Sequence, residues 1–195
     1  MKSRSAKNKG RRLQIGVAVS VAAKLGLTVV CDPPREPDGV LWVPEEGLQL
    51  EEGKPIEWPD LRVRRMGEPG ADVALLSVRA RQRVTIGGQP VWWECKNSES
   101  WEFGPRFWEG KGQAFVENAW NQARGAAPKG WVPVVVLGKN RWPSLAVWRG
   151  GEVRCFLRQP SHVGPLLSFS GFQAVRFDLF LEEVLDEPKK QAAAR

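Results

Sequence analysis

Two stretches near the middle of the chain decide its reading: Gly70-Ala71-Asp72-Val73-Ala74-Leu75-Leu76 and Val91-Trp92-Trp93-Glu94-Cys95-Lys96. Each joins an acid to an apolar run that reads as a strand, and Gly87-Gly88 between them is a turn signal. Antiparallel pairing around that turn brings Asp72, at the start of one strand, beside Glu94, near the end of the other. Residues two apart in a strand share a face, so Glu94 and Lys96 project together while Cys95 points into the opposite layer. Two carboxylates suit a hard divalent cation, and an adjacent lysine suits a phosphate or an attacking water. The backbone carbonyl of Cys95 is a further oxygen ligand in reach. The plainer alternative is a surface ion pair between Glu94 and Lys96, with Asp72 capping a turn.

Outward from this centre, Leu13, Val17, Val21 and Leu25 recur every four residues, predicting a helix over 9–26 that Gly26 stops. Leu61–Met66 alternates as a strand, and Val73–Val78 and Val91–Lys96 read as the second and third. A helix is expected over Lys111–Ala127, followed by a buried strand over Val132–Leu137. Leu145–Trp148 and Val153–Phe156 suggest a hairpin turning at Gly150-Gly151, and Asp178–Leu185 a short terminal helix. The order is α, β-β-β, α, β, then additions, with no internal repeat. It describes one mixed α/β domain over 1–195, with a flexible basic arm at 1–8, an acidic insertion at 31–60 and a flexible tail at 186–195.

Composition narrows the chemistry. The chain of 195 residues has a net charge of +7 and is large enough for one proper core. No apolar stretch suits a membrane span, and no convincing cleavage site follows the basic start, so a cytoplasmic protein is expected. Cys31, Cys95 and Cys155 form no metal-binding pair. His162 is the single histidine and tyrosine is absent, which disfavours Ser-His-Asp catalysis and excludes a phosphotyrosyl mechanism. Asp32, Glu36, Asp38, Glu45, Glu46, Glu51, Glu52, Glu57 and Asp60 face only Arg35 and Lys54 within 31–60, so the remainder is more basic than the total. Lys2, Arg4, Lys7, Lys9, Arg11 and Arg12 form one cluster; Arg62, Arg64, Arg65, Arg79, Arg81 and Arg83 form another. Basic surfaces attract polyanions by releasing counterions from phosphates. Acids, lysine and charge together suggest metal-dependent cleavage of nucleic acid.

The pattern resembles the PD-(D/E)xK nuclease superfamily, whose core is αβββαβ, and within it the archaeal-type Holliday-junction resolvases and their phage relatives. The residues that carry the likeness are Lys9-Gly10-Arg11-Arg12-Leu13-Gln14, Met66-Gly67-Glu68-Pro69-Gly70-Ala71-Asp72, Trp93-Glu94-Cys95-Lys96-Asn97 and Gln122-Ala123. They span roughly residues 7–137 apart from the acidic insertion. Ala71 replaces the superfamily's leading proline, and Gln14 stands where such resolvases carry a glutamate on the first helix.

The resemblance implies a restriction-endonuclease-like core, with a central mixed sheet flanked by helices. Asp72 and Glu94 would bind Mg²⁺, with Mn²⁺ able to substitute, joined by the Cys95 carbonyl and by Glu68 as an outer or third carboxylate. Lys96 would hold and polarise the attacking water or stabilise the phosphate. Gln122 would orient the nucleophile or a phosphate oxygen, and Gln14 a water or hydrated metal. Lys7, Lys9, Arg11 and Arg12 are candidates for DNA-backbone contacts, with Arg64, Arg65, Asn97 and Trp101 as further DNA-binding candidates. Trp101 and Trp108 follow the catalytic strand, while Trp92, Trp131 and Trp148 are expected in a core or dimer interface. The implied activity is a homodimeric resolvase that nicks branched double-stranded DNA in recombination and repair, with a phage as one implied source. Another endonuclease on the same core and a DNA-binding module with a decayed site are the alternatives.

Overall fold

The computed structural model describes residues 4–30, 59–64, 69–99, 113–149, 167–183 and 185. Helix α1, Arg4–Leu25, buries Val17, Ala18, Val21, Ala22 and Leu25 against the sheet. The small Ala18 and Ala22 let the helix sit close. Gly26 takes φ +61, and the Leu27 amide returns to the Ala22 carbonyl at 2.9 Å. That is a Schellman closure, in which a glycine supplies the left-handed residue. The helix begins at Arg4, so most of the segment expected as an arm continues α1 as backbone helix. The run from Arg4 to Arg12 contains no proline and only Gly10 as a weak former, so nothing stops the helix there.

Strands β1 (Val29–Val30), β2 (Leu61–Val63) and β3 (Val73–Leu75) follow. The second strand is shorter than the sequence suggests. Ser77 accepts the Ala80 amide at 2.9 Å and starts helix α2, Val78–Arg83. A helix thus intervenes where a direct hairpin between the two acids was expected. The Gly87-Gly88 turn instead joins β4 (Thr85–Ile86) to the long β5 (Gln89–Asn97), and both glycines have positive φ, as a tight primed turn requires.

Helix α3 (Gln113–Ala126), β6 (Val132–Gly138), β7 (Leu145–Arg149), β8 (Leu167–Phe169), β9 (Phe172–Arg176) and α4 (Phe177–Glu183) complete the described chain. The mixed sheet runs β1-β2-β3-β5-β6-β7-β9-β8, with β4 paired to β5 at one side. β3 pairs antiparallel with both β2 and β5, while β6 lies parallel to β5. β7 pairs with β9, which the sequence reading left unassigned; Val153–Phe156 lies outside the described residues.

Two apolar layers clamp the sheet. On one side α1 and α4 pack with Trp93, Cys95, Trp148, Phe177 and Phe180. On the other, Val116, Ala119, Trp120 and Ala123 of α3 meet Val135, Leu137, Val147 and Phe172. Every residue of β6 is buried, as a strand covered on both faces must be. Among the described residues, no helix is long and apolar enough to cross a membrane.

One acid from the segment read as an insertion is a structural anchor. Asp60 is buried and accepts hydrogen bonds from the Thr28 amide and hydroxyl and from Ser77, tying the end of α1 to β2 and α2. Burial alone would raise its pKa, but the hydrogen bonds from Ser77 and Thr28, aided by Arg79, outweigh it and hold the carboxyl below its ordinary value. At the same end, Arg79 donates to the Gly26 carbonyl and Arg83 to that of Leu25. These arginines satisfy the last carbonyls of α1, a favourable place for cations.

Candidate functional site

The site forms where β3 begins beside β5. Val73 is registered with Trp93, and the Asp72 amide donates to the Trp93 carbonyl at 2.9 Å. Beyond this point the Asp72 side chain takes over from the ladder: its Oδ2 accepts the Cys95 amide at 2.6 Å. A buried amide needs an acceptor, and here the need fixes the carboxylate in place. Its other oxygen accepts the Gln14 side-chain amide at 2.7 Å. Each carboxylate oxygen carries two lone pairs, so one on each remains for a further ligand.

The approach to Asp72 is equally constrained. Gly70 has φ +111, and a Cβ there would lie 2.8 Å from Cζ of Arg64. The Arg64 guanidinium closes over this turn and donates to the Pro69 carbonyl at 2.8 Å. Arg64, a candidate for DNA contact, thus holds the bend that delivers Asp72.

Glu94 and Lys96 emerge on the α3 side of β5, and Cys95 turns into the α1 layer with its thiol pushed well up by burial. Lys96 Nζ lies 2.6 Å from Glu94 and donates to Gln122 Oε1 of α3 at 3.0 Å. Glu94 is 4% exposed while Lys96 is partly exposed, so their ion pair is half-buried rather than a surface pair. Gln14 with Asp72, and Lys96 with Glu94 and Gln122, thus form two hydrogen-bonded sets joined through the Cys95 amide, in a row from α1 past the start of β3 and across β5 to α3.

Electrostatics make this row chemically unsettled. Burial raises the Asp72 carboxyl above its ordinary value, although the Cys95 amide, Lys96 and Gln14 pull the other way. Burial likewise raises Glu94; the bond from Lys96 lowers it and the negative charge of Asp72 raises it again. One ammonium thus stands against two acids in low dielectric, leaving an unmet demand for positive charge. Gln14 adds a second sign: its Oε1 is buried with no hydrogen-bond partner. Its Nε2 is committed to Asp72, so the oxygen is left directed at an unfilled need.

A divalent metal fits these donors. Mg²⁺ commonly uses one or two carboxylates and keeps several waters, a demand that Asp72 and Glu94 can meet. Asp72, Glu94 and the Cys95 carbonyl are the first-choice ligands. Among the described residues no group of three or more His, Cys, Asp or Glu side chains is placed to hold a metal ion.

The remaining candidates divide. Lys9, Arg12 and Asn97 line an open cleft beside the row, together with Lys139, Asn140 and Ser144. Lys9 also pairs with Glu99 at 3.5 Å. Arg11 lies on α1 two residues from Lys9 and is partly exposed. Glu68, Arg65, Trp101, Trp108 and the side chain of Lys7 lie outside the described residues. Trp148 is fully buried, whereas Trp92 and Trp131 form a half-buried edge-to-face pair.

Sequence reasoning missed the β6–β7 turn, Lys139-Asn140-Arg141-Trp142-Pro143-Ser144. Because β6 runs parallel to β5, with Lys96 registered to Leu137, this turn reaches the sheet edge where Lys96 and Asn97 end β5. A polar, proline-containing tryptophan turn between two apolar strands was the available signal.

No protein-family profile matches the chain, and no curated protein or solved structure matches it at a significant level.

Proposed function

We propose that this protein is a metal-dependent endodeoxyribonuclease with Asp72, Glu94 and Lys96 as its catalytic residues, built on an αβββαβ core of the PD-(D/E)xK kind. The observation that carries the reading is the convergence of two hydrogen-bonded sets, Gln14 with Asp72 and Lys96 with Glu94 and Gln122, joined through the Cys95 amide that Asp72 accepts. The element order supports it too: α1, the antiparallel β2, β3 and β5, then α3 and the parallel β6.

A bound Mg²⁺ or Mn²⁺ would lower the pKa of a water and offset charge developing on the phosphate. The chain's own residues do the rest. Asp72 is held rigid by the Cys95 amide and Gln14, so its remaining lone pairs keep one direction. Glu94 shares its charge with Lys96 at rest. Lys96 is the only side chain of the row that brings positive charge, and it is partly exposed, so it can turn toward a phosphate oxygen or a nucleophilic water. Gln122 steadies the ammonium from α3. Preorganised charge of this type stabilises a developing anion without reorganisation.

Within this class, a Holliday-junction resolvase acting as a homodimer is the substrate reading we propose, since paired nicks in a symmetric junction need two sites at fixed separation. Cleavage of a labelled four-way junction against linear duplex of the same sequence tests it. Paired symmetric nicks in the junction with little duplex cleavage are expected; preference for linear duplex would assign a repair or restriction-type endonuclease instead. One observation favours a DNA-binding module without chemistry: Gln14 occupies a place where a third carboxylate would strengthen metal binding. Absence of any nicking in Mg²⁺ or Mn²⁺, with DNA binding retained, would establish that reading.

A further inference from the structure

Beside the row lies an open cleft of about 530 Å³, between α1, the end of β5 and the β6–β7 turn. Leu13, Val17 and Phe177 give it apolar lining, while Arg12, Lys139 and Asn97 contribute charge and amide donors. The close fit beneath it depends on Gly138, where a Cβ would meet Leu13 at 2.9 Å and the Asn97 amide at 3.0 Å. Glu99 is the nearby acid; it pairs with Lys9 and accepts the Asn140 amide at 3.4 Å. That contact ties the β6–β7 turn back to the end of β5.

On the same turn Trp142 is 50% exposed, whereas Trp93, Trp120 and Trp148 are buried. The turn is held by the Trp142 amide donating to the Lys139 carbonyl at 3.2 Å, and Arg141 adopts φ +63 within it. Lys139 Nζ sits 5.2 Å from the Trp142 ring centroid. Trp142 is thus half exposed to solvent, with the Lys139 ammonium over its ring and a basic cleft adjoining.

We propose that the cleft and Trp142 form a subsite for an unpaired nucleotide. Arg12 and Lys139 take the phosphodiester, and the base stacks on Trp142. A base has an accessible π-face only when it is out of a continuous stack, so a stacking platform selects unpaired segments over closed duplex. Asn97 lines the cleft on the α1 side of the β5 end, whereas Lys96 projects to the α3 side, so this nucleotide would sit around the sheet edge from Lys96. The substrate class is therefore DNA with a single-stranded extension or an opened branch point. The proposal rests on the nucleic-acid reading above, but not on cleavage.

Fluorescence anisotropy without divalent metal tests it, using a labelled blunt duplex and the same duplex with a single-stranded extension. Wild-type protein should bind the extended duplex more tightly. Trp142→Ala should weaken that complex by about tenfold, in line with loss of one base–aromatic stack. The blunt duplex should change by less than about twofold, because it offers no free base. Trp142→Phe should restore most of the affinity; Trp142→Leu, apolar but without a π-face, should not. Equal wild-type binding of both probes, or an equal loss on both in Trp142→Ala, overturns the subsite. Binding of neither probe overturns the nucleic-acid reading as well. Discrimination without nicking in Mg²⁺ leaves the subsite standing and removes only the cleavage.

Discussion

Gln14 on the first helix donates its side-chain amide to Asp72 at 2.7 Å, joining residues 58 positions apart, while its own carbonyl oxygen has no partner. An amide in this place supports the acid without adding charge. The arrangement defines how the site differs from one with a carboxylate on that helix.

Gln14→Glu should therefore move the site in two opposite directions. Without metal, a third acid against Asp72 adds like-charge repulsion and lowers the thermal midpoint. With metal, the added negative charge should tighten Mg²⁺ or Mn²⁺ binding by on the order of tenfold. Calorimetric titration and a melting series with and without metal check both. Equal affinity in the variant and wild type would place Gln14 away from the metal.

The two buried acids should destabilise the metal-free fold. Asp72→Asn keeps an acceptor for the Cys95 amide, and its new amide can donate to Gln14 once that side chain turns over. We expect it to raise metal-free stability at neutral pH by on the order of 1–2 kcal/mol, because it removes one of two coupled buried charges. Divalent metal should then stabilise the wild type more than the variant, as selective binding to the folded state requires. Chemical denaturation in EDTA and in Mg²⁺ gives the comparison. A variant less stable in EDTA would show that Asp72 acts chiefly as a ladder anchor.

The pH dependence follows from the same burial. Asp72 and Glu94 have folded-state pKa values above their ordinary ones. In the metal-free protein their penalty is absent below the unfolded values and grows as pH rises through the window up to the raised folded values. Asp60 acts oppositely: its lowered pKa gives stability above its unfolded value that is lost as pH falls through the folded value. Metal binding to the empty site needs both acids ionised, so metal affinity should begin to fall, as pH drops, already above the ordinary carboxylate range. A profile flat down to that ordinary range would contradict the electrostatic account.

Gly70→Ala should harm the site through the backbone. It combines a left-handed φ with a Cβ in the Arg64 guanidinium. A cost of about 1–3 kcal/mol is expected, and activity per folded molecule should fall as the bend before Asp72 shifts. Gly125→Ala on α3, where a Cβ meets nothing, is the control. Equal effects of the two changes would leave the Gly70 turn without a special role.

Much of this was legible from spacing alone. Val17, Val21 and Leu25 set the buried face of α1, Gly26 its end, and the alternation of Glu94, Cys95 and Lys96 their opposite layers. Two things resisted. Ser77 converts the end of an apparent strand into a helix cap, because a side-chain acceptor for the Ala80 amide competes locally with continued pairing. Asp60, counted among insertion acids, is buried because Thr28 and Ser77 supply donors from distant segments. Trp142 escaped notice for a related reason: only the parallel pairing of β5 with β6 brings its turn to the edge of the site. Local patterns report faces and ends; such long-range donors and registers become visible only in the assembled sheet.

The most direct measurement is nicking of a labelled four-way junction in Mg²⁺ by wild-type protein and by Glu94→Gln, with junction binding measured in parallel. The account predicts nicking by the wild type, a loss of at least about a hundredfold in the variant, and binding retained in both. A fully active Glu94→Gln, or a wild type that binds the junction yet nicks no DNA in Mg²⁺ or Mn²⁺, would contradict it.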